Sequence, residues 1–228
     1  MSEPPDSKKS RVVIIEDHPM FRERLAHLIN KEEDMIVCGE ADNALDGLAL
    51  IQRAKPSLAI VDITLKGSGG LDLLKDIRAH EIELPVLVLS MHDESLYAER
   101  ALRAGARGYI TKHEASAKVM IAIRSVLRGE IYLDPRIMAR ILRRIVGGEE
   151  VTVARPIDRL TDRELAVFEL IGEGRTTREI GGRLHVGLTT VDTYRARIKE
   201  KLNLENGAQL HAEASRWIQE RESCAATV

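Results

Sequence analysis

Five short aliphatic runs alternate with segments of helical periodicity over the first 129 residues, and this pattern constrains the fold more than any other feature. The runs are apolar along most of their length, which is typical of parallel strands covered by helices on both faces. The predicted strands are Arg11–Ile15, Met35–Gly39, Leu58–Asp62, Pro85–Ser90 and Gly108–Thr111. We therefore expect residues 11–129 to form an α/β domain with a doubly wound, five-stranded parallel sheet.

The strand pattern stops after Gly129, and the rest of the chain is predicted to be helical. Residues 130–158 are interpreted as a linker that contains one helix, from Asp134-Pro135 to Val146, followed by a glycine-rich break. Residues 159–222 are predicted to form an all-α, four-helix domain. Two of its helices begin with the capping-box pattern, at Thr161 with Glu164 and at Thr176 with Glu179.

Composition excludes several classes of protein. Aromatic residues make up only 3% of the chain, which argues against a carbohydrate-binding surface or a platform that stacks single-stranded bases. No apolar run approaches the length of a membrane span, and residues 1–10 lack the apolar region of a secretory signal. Two cysteines make no disulfide framework. We expect a cytoplasmic protein with no membrane partner.

Polar side chains follow four of the five predicted strands. Glu16 and Asp17 come after the first strand, Asp62 ends the third, Ser90 ends the fourth and Lys112 follows the fifth. Because the carboxyl ends of parallel strands meet at one edge of the sheet, these groups should lie close together. Three crowded carboxylates favour a hard divalent cation such as Mg²⁺. An Asp carboxylate beside that cation can attack a phosphoryl group, whose charge Lys112 would help to neutralise.

Each of these residues also has an ordinary structural interpretation. Asp17, just before His18-Pro19, could be the N-cap of a helix whose first turn contains the proline. Asp62 and Ser90 could be turn residues, and Lys112 could be a solvated lysine. The combination argues for function, because four strand ends each supply a residue type that phosphoryl chemistry needs.

The segments that carry this set resemble the receiver domain of bacterial two-component response regulators. They are Val12–Pro19, Ala59–Asp62, Val88–Ser90 and Gly108–Lys112. The resemblance implies that Asp62 is the phospho-acceptor, that Lys112 pairs with the phosphoryl group, and that Ser90 turns to bind it while Tyr109 moves inward as the switch aromatic. It also implies an Mg²⁺ site formed by Glu16, Asp17, Asp62 and the Ile63 carbonyl. His113 replaces the proline that often follows the lysine in this family.

An enzymatic alternative uses the same chemistry. Phosphatases of the haloacid dehalogenase type place a second Asp two positions after the nucleophile as the general acid. That position is Thr64 here, so the acid is missing. We therefore expect no enzyme activity beyond phosphoryl acceptance and slow self-dephosphorylation at Asp62.

The C-terminal region concentrates positive charge in one stretch. Residues 175–201 contain seven Lys and Arg against three Asp and Glu, a net of +4, while the whole chain has a net charge of −2. On a helical period, Val191, Arg195, Ile198 and Leu202 fall on one face of the predicted helix from Leu188 to Leu202. Its opposite face, with Thr189, Thr193, Ala196, Arg197 and Glu200, would be free to meet base edges or simply to be solvated.

This region resembles the LuxR-type helix-turn-helix, through the segments 160–164, 172–180, 190–194 and 198–202. The resemblance implies a scaffold helix at Arg178–Leu184, a recognition helix at Leu188–Leu202 that lies in the major groove, and a dimerisation helix at 206–219. The expected DNA-binding residues are Thr189, Thr190, Asp192, Thr193, Ala196, Arg197, Lys199 and Lys201. Asp192 stands where the family frequently has lysine. Gly181 and Gly182 stand where alanine is common, and we interpret both as sites of close helix packing.

Together, the two halves are similar to response regulators of the NarL/FixJ class. This implies a transcription regulator that a sensor histidine kinase phosphorylates at Asp62, after which the helix-turn-helix is released and a homodimer binds double-stranded DNA. The alternative is a DNA-binding regulator whose vestigial receiver is independent of phosphorylation. The presence of Asp17, Asp62 and Lys112 together argues against that alternative.

Overall fold

The computed structural model describes residues 9–65, 69–91, 95–146 and 156–226. The chain divides into two compact units, Met1–Gly148 and Glu149–Val228. In the described residues of the first unit, five parallel strands form one sheet in the order β2-β1-β3-β4-β5. The strands are β1 (Ser10–Ile15), β2 (Met35–Ala41), β3 (Leu58–Asp62), β4 (Val86–Ser90) and β5 (Gly108–Thr111). The predicted fold class is confirmed, and the strand ends differ from the prediction by at most two residues.

Helices cover both faces of this sheet. They are α1 (Pro19–Asn30), α2 (Ala44–Ala54), α3 (Gly70–Ala79), α4 (Ser95–Ala104) and α5 (Lys112–Leu127). Alternate strand residues such as Val12 and Ile14 pack in one cluster with Leu25 and Ile29 of α1 and Ile123 of α5. Every residue of β3 and β4 is buried, which explains why these strands read as continuous apolar runs.

The chain that leaves α5 returns to the edge of the sheet. Tyr132 forms a parallel bridge with Gly108: Tyr109 donates its N–H to the Tyr132 carbonyl at 2.9 Å, and Tyr132 donates to the Arg107 carbonyl at 3.0 Å. Helix α6 (Pro135–Val146) then packs against α4, as a helix of the length predicted for the linker. Residues 130–146 of the expected linker therefore lie within the first compact unit. The glycine-rich break predicted at 147–150 lies outside the described residues.

The second unit is helical throughout its described part. A 3-10 turn at Pro156–Arg159 precedes α7 (Asp162–Gly172), α8 (Thr177–Leu184), α9 (Leu188–Leu202) and α10 (Gly207–Ala226). Both predicted capping boxes are confirmed, at the starts of α7 and α8. The core of the unit includes Phe168, whose ring centroid lies 5.8 Å from that of Trp217. The four-helix prediction is confirmed.

The turn between α8 and α9 explains one of the two adjacent glycines. His185 ends α8 in the left-handed conformation (φ 53°), and Val186 donates its N–H to the Gly181 carbonyl at 3.0 Å. A Cβ on Gly181 would lie 2.9 Å from the Val186 carbonyl oxygen, so only glycine fits there without adjustment. A Cβ on Gly182 would meet no atom within 4 Å. The close-packing interpretation is therefore right for Gly181 and wrong for Gly182.

No described helix is both long enough and apolar enough to cross a lipid bilayer.

Candidate functional site

The carboxyl ends of the strands bring four charged side chains into one buried cluster. Glu16 and Asp17 follow β1, Asp62 ends β3, and Lys112 begins α5 directly after β5. Their exposed fractions are 0%, 4%, 0% and 8%. Lys112 Nζ lies 2.7 Å from Glu16 Oε2 and 2.9 Å from Asp62 Oδ2. The structure thus gathers the residues that the strand-end argument selected, although they are scattered over about a hundred positions of the chain.

Burial and charge act in opposite directions on these groups. Burial raises the pKa of Asp62 to about 6; the nearby Lys112 ammonium opposes that rise and the Glu16 carboxylate adds to it. Burial alone would lower the pKa of Lys112, but attraction to Asp62 and Glu16 outweighs it and raises that pKa. Lys112 therefore stays a cation, while Asp62 is held in an environment that disfavours its negative charge.

The donor set of this cluster fits a divalent cation. Ligand atoms of Glu16, Asp17, His18 and Asp62 all lie within 4.8 Å of one another. Asp62 Oδ1 is buried and accepts no hydrogen bond of normal geometry, although the Thr64 backbone N–H is close enough to lower the Asp62 pKa slightly. A buried carboxylate oxygen of this kind is normally paired or bound to a metal. Hard oxygen donors match Mg²⁺.

The Ile63 carbonyl has a partner of its own. It accepts the Gly70 backbone N–H at 2.9 Å, at the point where α3 begins. A carbonyl oxygen has two lone pairs, so this bond leaves one available. The assignment of the Ile63 carbonyl to the cation site stays a prediction.

The two residues expected to switch lie on neighbouring strands. Asp62 is in register with Leu89 of β4, so Ser90 is one residue beyond it at the same edge of the sheet. Ser90 and Tyr109 are both buried, with exposed fractions of 0% and 1%. The structure thus has the Tyr109 ring inside the domain, and the Tyr109 backbone carries the bridge to Tyr132.

Sequence reasoning missed two neighbours of this cluster. His18 Nδ1 lies 2.8 Å from Asp17 Oδ1 and 3.0 Å from Glu16 Oε1. His18 rather than Asp17 is the N-cap residue of α1, so the N-cap interpretation of Asp17 is wrong. Lys112 Nζ also lies 5.1 Å from the centroid of the Phe21 ring, within the range of a cation–π contact. The position of His18 next to the two carboxylates in the sequence was the available indication.

Helix α9 of the second unit has one buried and one exposed face. Val191 and Ile198 are fully buried, and Arg195 and Leu202 are half-buried, as predicted. The outward face is exposed at Thr189, Thr190, Asp192, Thr193, Ala196, Arg197 and Glu200. Thr193 Oγ1 donates to the Thr189 carbonyl at 2.9 Å, so this hydroxyl has its hydrogen-bond partner within the helix. Most residues of this face are therefore exposed, while the opposite face packs within the second unit.

The two lysines near the end of α9 differ in their surroundings. Lys201 Nζ lies 2.6 Å from Oε2 of Glu164, a carboxylate that is only 1% exposed and also accepts the Thr161 N–H. Burial opposes the effect, but the Lys201 and Thr161 hydrogen bonds lower the Glu164 pKa. Lys201 therefore links α9 to the start of α7. Lys199 is half-buried and forms no ion pair with any residue in the described part of the chain.

Comparisons with known families match both units. Residues 12–124 match the family described as response regulator receiver domain, and residues 158–214 match the bacterial regulatory proteins of the luxR family. The chain is also 32% identical over 208 residues to the transcriptional regulatory protein LiaR of Bacillus subtilis, covering 90% of this chain and 97% of that protein. The chain is a LuxR-type two-component response regulator.

Other relatives of this response regulator agree with the assignment. It is 28% identical to the transcriptional regulatory protein DegU of Brevibacillus brevis over 97% of this chain and all of that protein. A crystal structure of a LuxR-family response regulator from an Aurantimonas species is 32% identical, covers 60% of this chain and 99% of its own, and has a TM-score of 0.57. The response regulator therefore combines a receiver with a DNA-binding, LuxR-type helix-turn-helix, and it regulates transcription.

The fold is also shared with a response regulator whose structure was solved in complex with DNA. RcsB from Salmonella enterica serovar Typhimurium, bound to the promoter rprA in the presence of the phosphomimetic BeF3−, is 23% identical with a TM-score of 0.58. That comparison covers 91% of this response regulator and 98% of the RcsB chain. At this level of identity the likeness concerns the fold.

Proposed function

We propose that this response regulator accepts a phosphoryl group on Asp62 from a sensor histidine kinase, and that the modification controls its binding to double-stranded DNA. The observation that carries the proposal is the buried contact of Asp62 with Lys112, at 2.9 Å, inside a cluster of three carboxylates. Burying a carboxylate without a positive partner costs free energy, so a bound cation would stabilise this cluster. A phosphoryl group could then bind between that cation and Lys112.

The chemistry assigned to each residue follows from its position. An Asp62 carboxylate oxygen attacks phosphorus, and the bond from phosphorus to the donor breaks as the acyl phosphate forms. Lys112, already 2.9 Å from Asp62 Oδ2, pairs with the oxygens of the transferred group. Glu16, Asp17 and Asp62 would hold Mg²⁺, with the Ile63 carbonyl as the further predicted ligand. Bound Mg²⁺ supplies neutralisation of the charge that develops on the phosphoryl oxygens.

A switch through Ser90 and Tyr109 is part of the proposal. Phosphorylated Asp62 presents new acceptor oxygens beside the end of β4, where the Ser90 hydroxyl can donate to them. Movement of Ser90 would open space in which the Tyr109 ring can change its position. The bridge from Tyr109 to Tyr132 leads from this strand directly towards α6, so a change in β5 has a short covalent and hydrogen-bonded route to the linker.

The DNA contacts are assigned from the exposed face of α9. We place this helix in the major groove, with Asp192, Thr193 and Ala196 towards base edges. Asp192 would accept a hydrogen bond from a cytosine amino group, and the methyl groups of Thr193 and Ala196 would contact thymine methyls. Thr189, Thr190, Arg197 and Lys199 are assigned to phosphate or flanking contacts. Lys201 would contact DNA only by leaving Glu164, with which it is paired in the structure.

The remaining assignments complete the proposal. The receiver is placed at 11–129, the linker at 130–158 and the DNA-binding domain at 159–222. Phosphorylation releases the helix-turn-helix and promotes a homodimer that reads two half-sites. The protein acts in the cytoplasm and has no catalytic activity besides phosphoryl acceptance and slow self-dephosphorylation at Asp62.

The test is phosphorylation with a small phospho-donor in Mg²⁺, following intact mass and DNA binding together for the wild type and Asp62→Asn. We expect one phosphoryl group on the wild type alone, together with tighter DNA binding. Uptake with no change in DNA binding would leave the acceptor chemistry intact but refute the coupling. Undiminished DNA binding without any uptake would favour a vestigial receiver.

A further inference from the structure

His18 places an imidazole nitrogen against the outer side of the carboxylate cluster. Its Nδ1 lies 2.8 Å from Asp17 Oδ1 and 3.0 Å from Glu16 Oε1, and its side chain is 62% exposed. Lys112 contacts the same Glu16 carboxylate but is itself buried, with 5% of its side chain exposed. The cluster therefore has a buried lysine and a solvent-accessible imidazole as its two nitrogen groups.

The spacing of these atoms suits two donors on one ion. Metal–nitrogen and metal–oxygen bonds to first-row divalent ions are about 2.0–2.2 Å long, so adjacent donors at right angles lie roughly 3 Å apart. Both His18 distances have that value. The donor atoms of His18, Glu16, Asp17 and Asp62 also fall within 4.8 Å of one another, close enough for the four residues to hold one metal ion.

The start of α1 does not depend on the His18 side chain. His18 is the N-cap residue of α1 in an extended conformation (φ −88°, ψ 107°), yet its side chain makes no capping hydrogen bond. Pro19 is the first residue of the helix, where a proline sacrifices no helical hydrogen bond. Replacing the imidazole should therefore have little effect on the start of α1.

We propose that His18 is a fourth ligand of the metal site, and that it gives the site a higher affinity for divalent transition ions than three carboxylates alone would provide. Carboxylates suit Mg²⁺ and Mn²⁺, whereas imidazole adds affinity for ions such as Ni²⁺ and Zn²⁺ and little for Mg²⁺. The inference rests on the proposed metal site of the receiver and deepens it by naming a residue that separates the two ion classes.

The first experiment measures Mg²⁺ and Ni²⁺ binding by calorimetry on the full, tag-free, metal-stripped chain. The variants are His18→Gln and the control His80→Gln, since His80 is exposed at the end of α3. Ni²⁺ binding that Mg²⁺ displaces reports this site and not the other histidines. We expect His18→Gln to weaken the displaceable Ni²⁺ binding by about tenfold or more and to change Mg²⁺ affinity by less than about threefold. His80→Gln should change neither affinity.

The second readout is the nitrogen coupling in pulsed electron paramagnetic resonance of Mn²⁺ bound at one equivalent. Coupling is expected for the wild type and should vanish in His18→Gln. Equal loss of Ni²⁺ and Mg²⁺ affinity in His18→Gln would show that His18 acts only by its charge and would overturn the inference. Absence of nitrogen coupling in the wild type would show that the imidazole does not bind the ion, and it would overturn the inference as well. If the wild type binds no Mg²⁺ at all, the proposed metal site fails together with it.

Discussion

Replacing Asp62 with Asn is expected to stabilise the metal-free receiver at neutral pH. Burial raises the pKa of Asp62 from its ordinary 3.8 to about 6, even with Lys112 at 2.9 Å. This difference corresponds to about 3 kcal/mol by which folding disfavours the ionised carboxylate relative to the neutral one. Asn has the shape of the neutral form and carries no charge. Lys112 keeps its contact with Glu16, at 2.7 Å, so the substitution leaves no unpaired ammonium.

The sign of the pH dependence follows from the raised pKa. Below about pH 3, Asp62 is neutral in both the folded and the unfolded wild type, and the two proteins should be equally stable. As pH rises towards 6, the unfolded chain releases the Asp62 proton before the folded chain does, so the wild type alone loses stability. The advantage of Asp62→Asn should reach about 3 kcal/mol near pH 7.5 and roughly half of that near pH 5.

The assay is urea unfolding in a metal chelator at these two pH values, followed by circular dichroism. Trp217 is the single tryptophan and lies in the second unit, so its fluorescence reports that unit separately. The exposed Asp76, replaced by Asn, is the matched control. A gain that is absent, or as large near pH 5 as near pH 7.5, or shared by Asp76→Asn, would refute the burial argument. Added Mg²⁺ should stabilise the wild type and reduce the difference.

Three further predictions concern the second unit. Gly182→Ala should raise the free energy of unfolding of the second unit by about 0.5–1 kcal/mol, because the position is helical and exposed and has space for a Cβ. Gly181→Ala should lower it, and thermal unfolding of the two variants measures the difference. Lys201→Met should lower the free energy of unfolding of the second unit by roughly 1–3 kcal/mol, because Glu164 stays buried without its cation. The same variant should leave the salt dependence of DNA binding unchanged, and a shallower dependence would instead make Lys201 a phosphate contact. Asp192→Lys should tighten binding to unrelated DNA and steepen its salt slope by about one, as a fluorescence titration against salt would measure; an unaltered slope would place Asp192 away from the backbone.

The sheet and its acidic edge were predictable because their causes are encoded along the chain. Apolar strands buried on both faces look different from half-exposed ones, and parallel strands must end at one edge. The proximity of Glu16, Asp62 and Lys112 could therefore be predicted from the order of strands and polar residues alone. The same logic applied to α9, where helical period alone separated the buried Val191 from the exposed Asp192.

Other contacts depended on geometry that sequence period does not contain. Lys201 looked like one more cation of a basic helix, and its pairing with Glu164, 37 positions away, follows only from the packing of α9 on α7. His18 looked like a residue before a helix, and the turn that directs its ring at Asp17 is a matter of backbone angles. Gly181 and Gly182 are indistinguishable in the sequence, and only the path of the next turn separates them.

The bridge at Tyr132 bears on where the receiver can be cut. β5 is an outer strand of the sheet, and the returning chain occupies part of its open hydrogen-bonding side, at the Tyr109 N–H and the Arg107 carbonyl. A fragment that stops at residue 129 would leave those groups bare, and bare outer strands recruit strands from other molecules. A fragment that continues through Val146 keeps both the bridge and α6. The shorter fragment should therefore self-associate during expression, and the longer one should not. Residues 130–146 of the expected linker thus help to keep the receiver monodisperse.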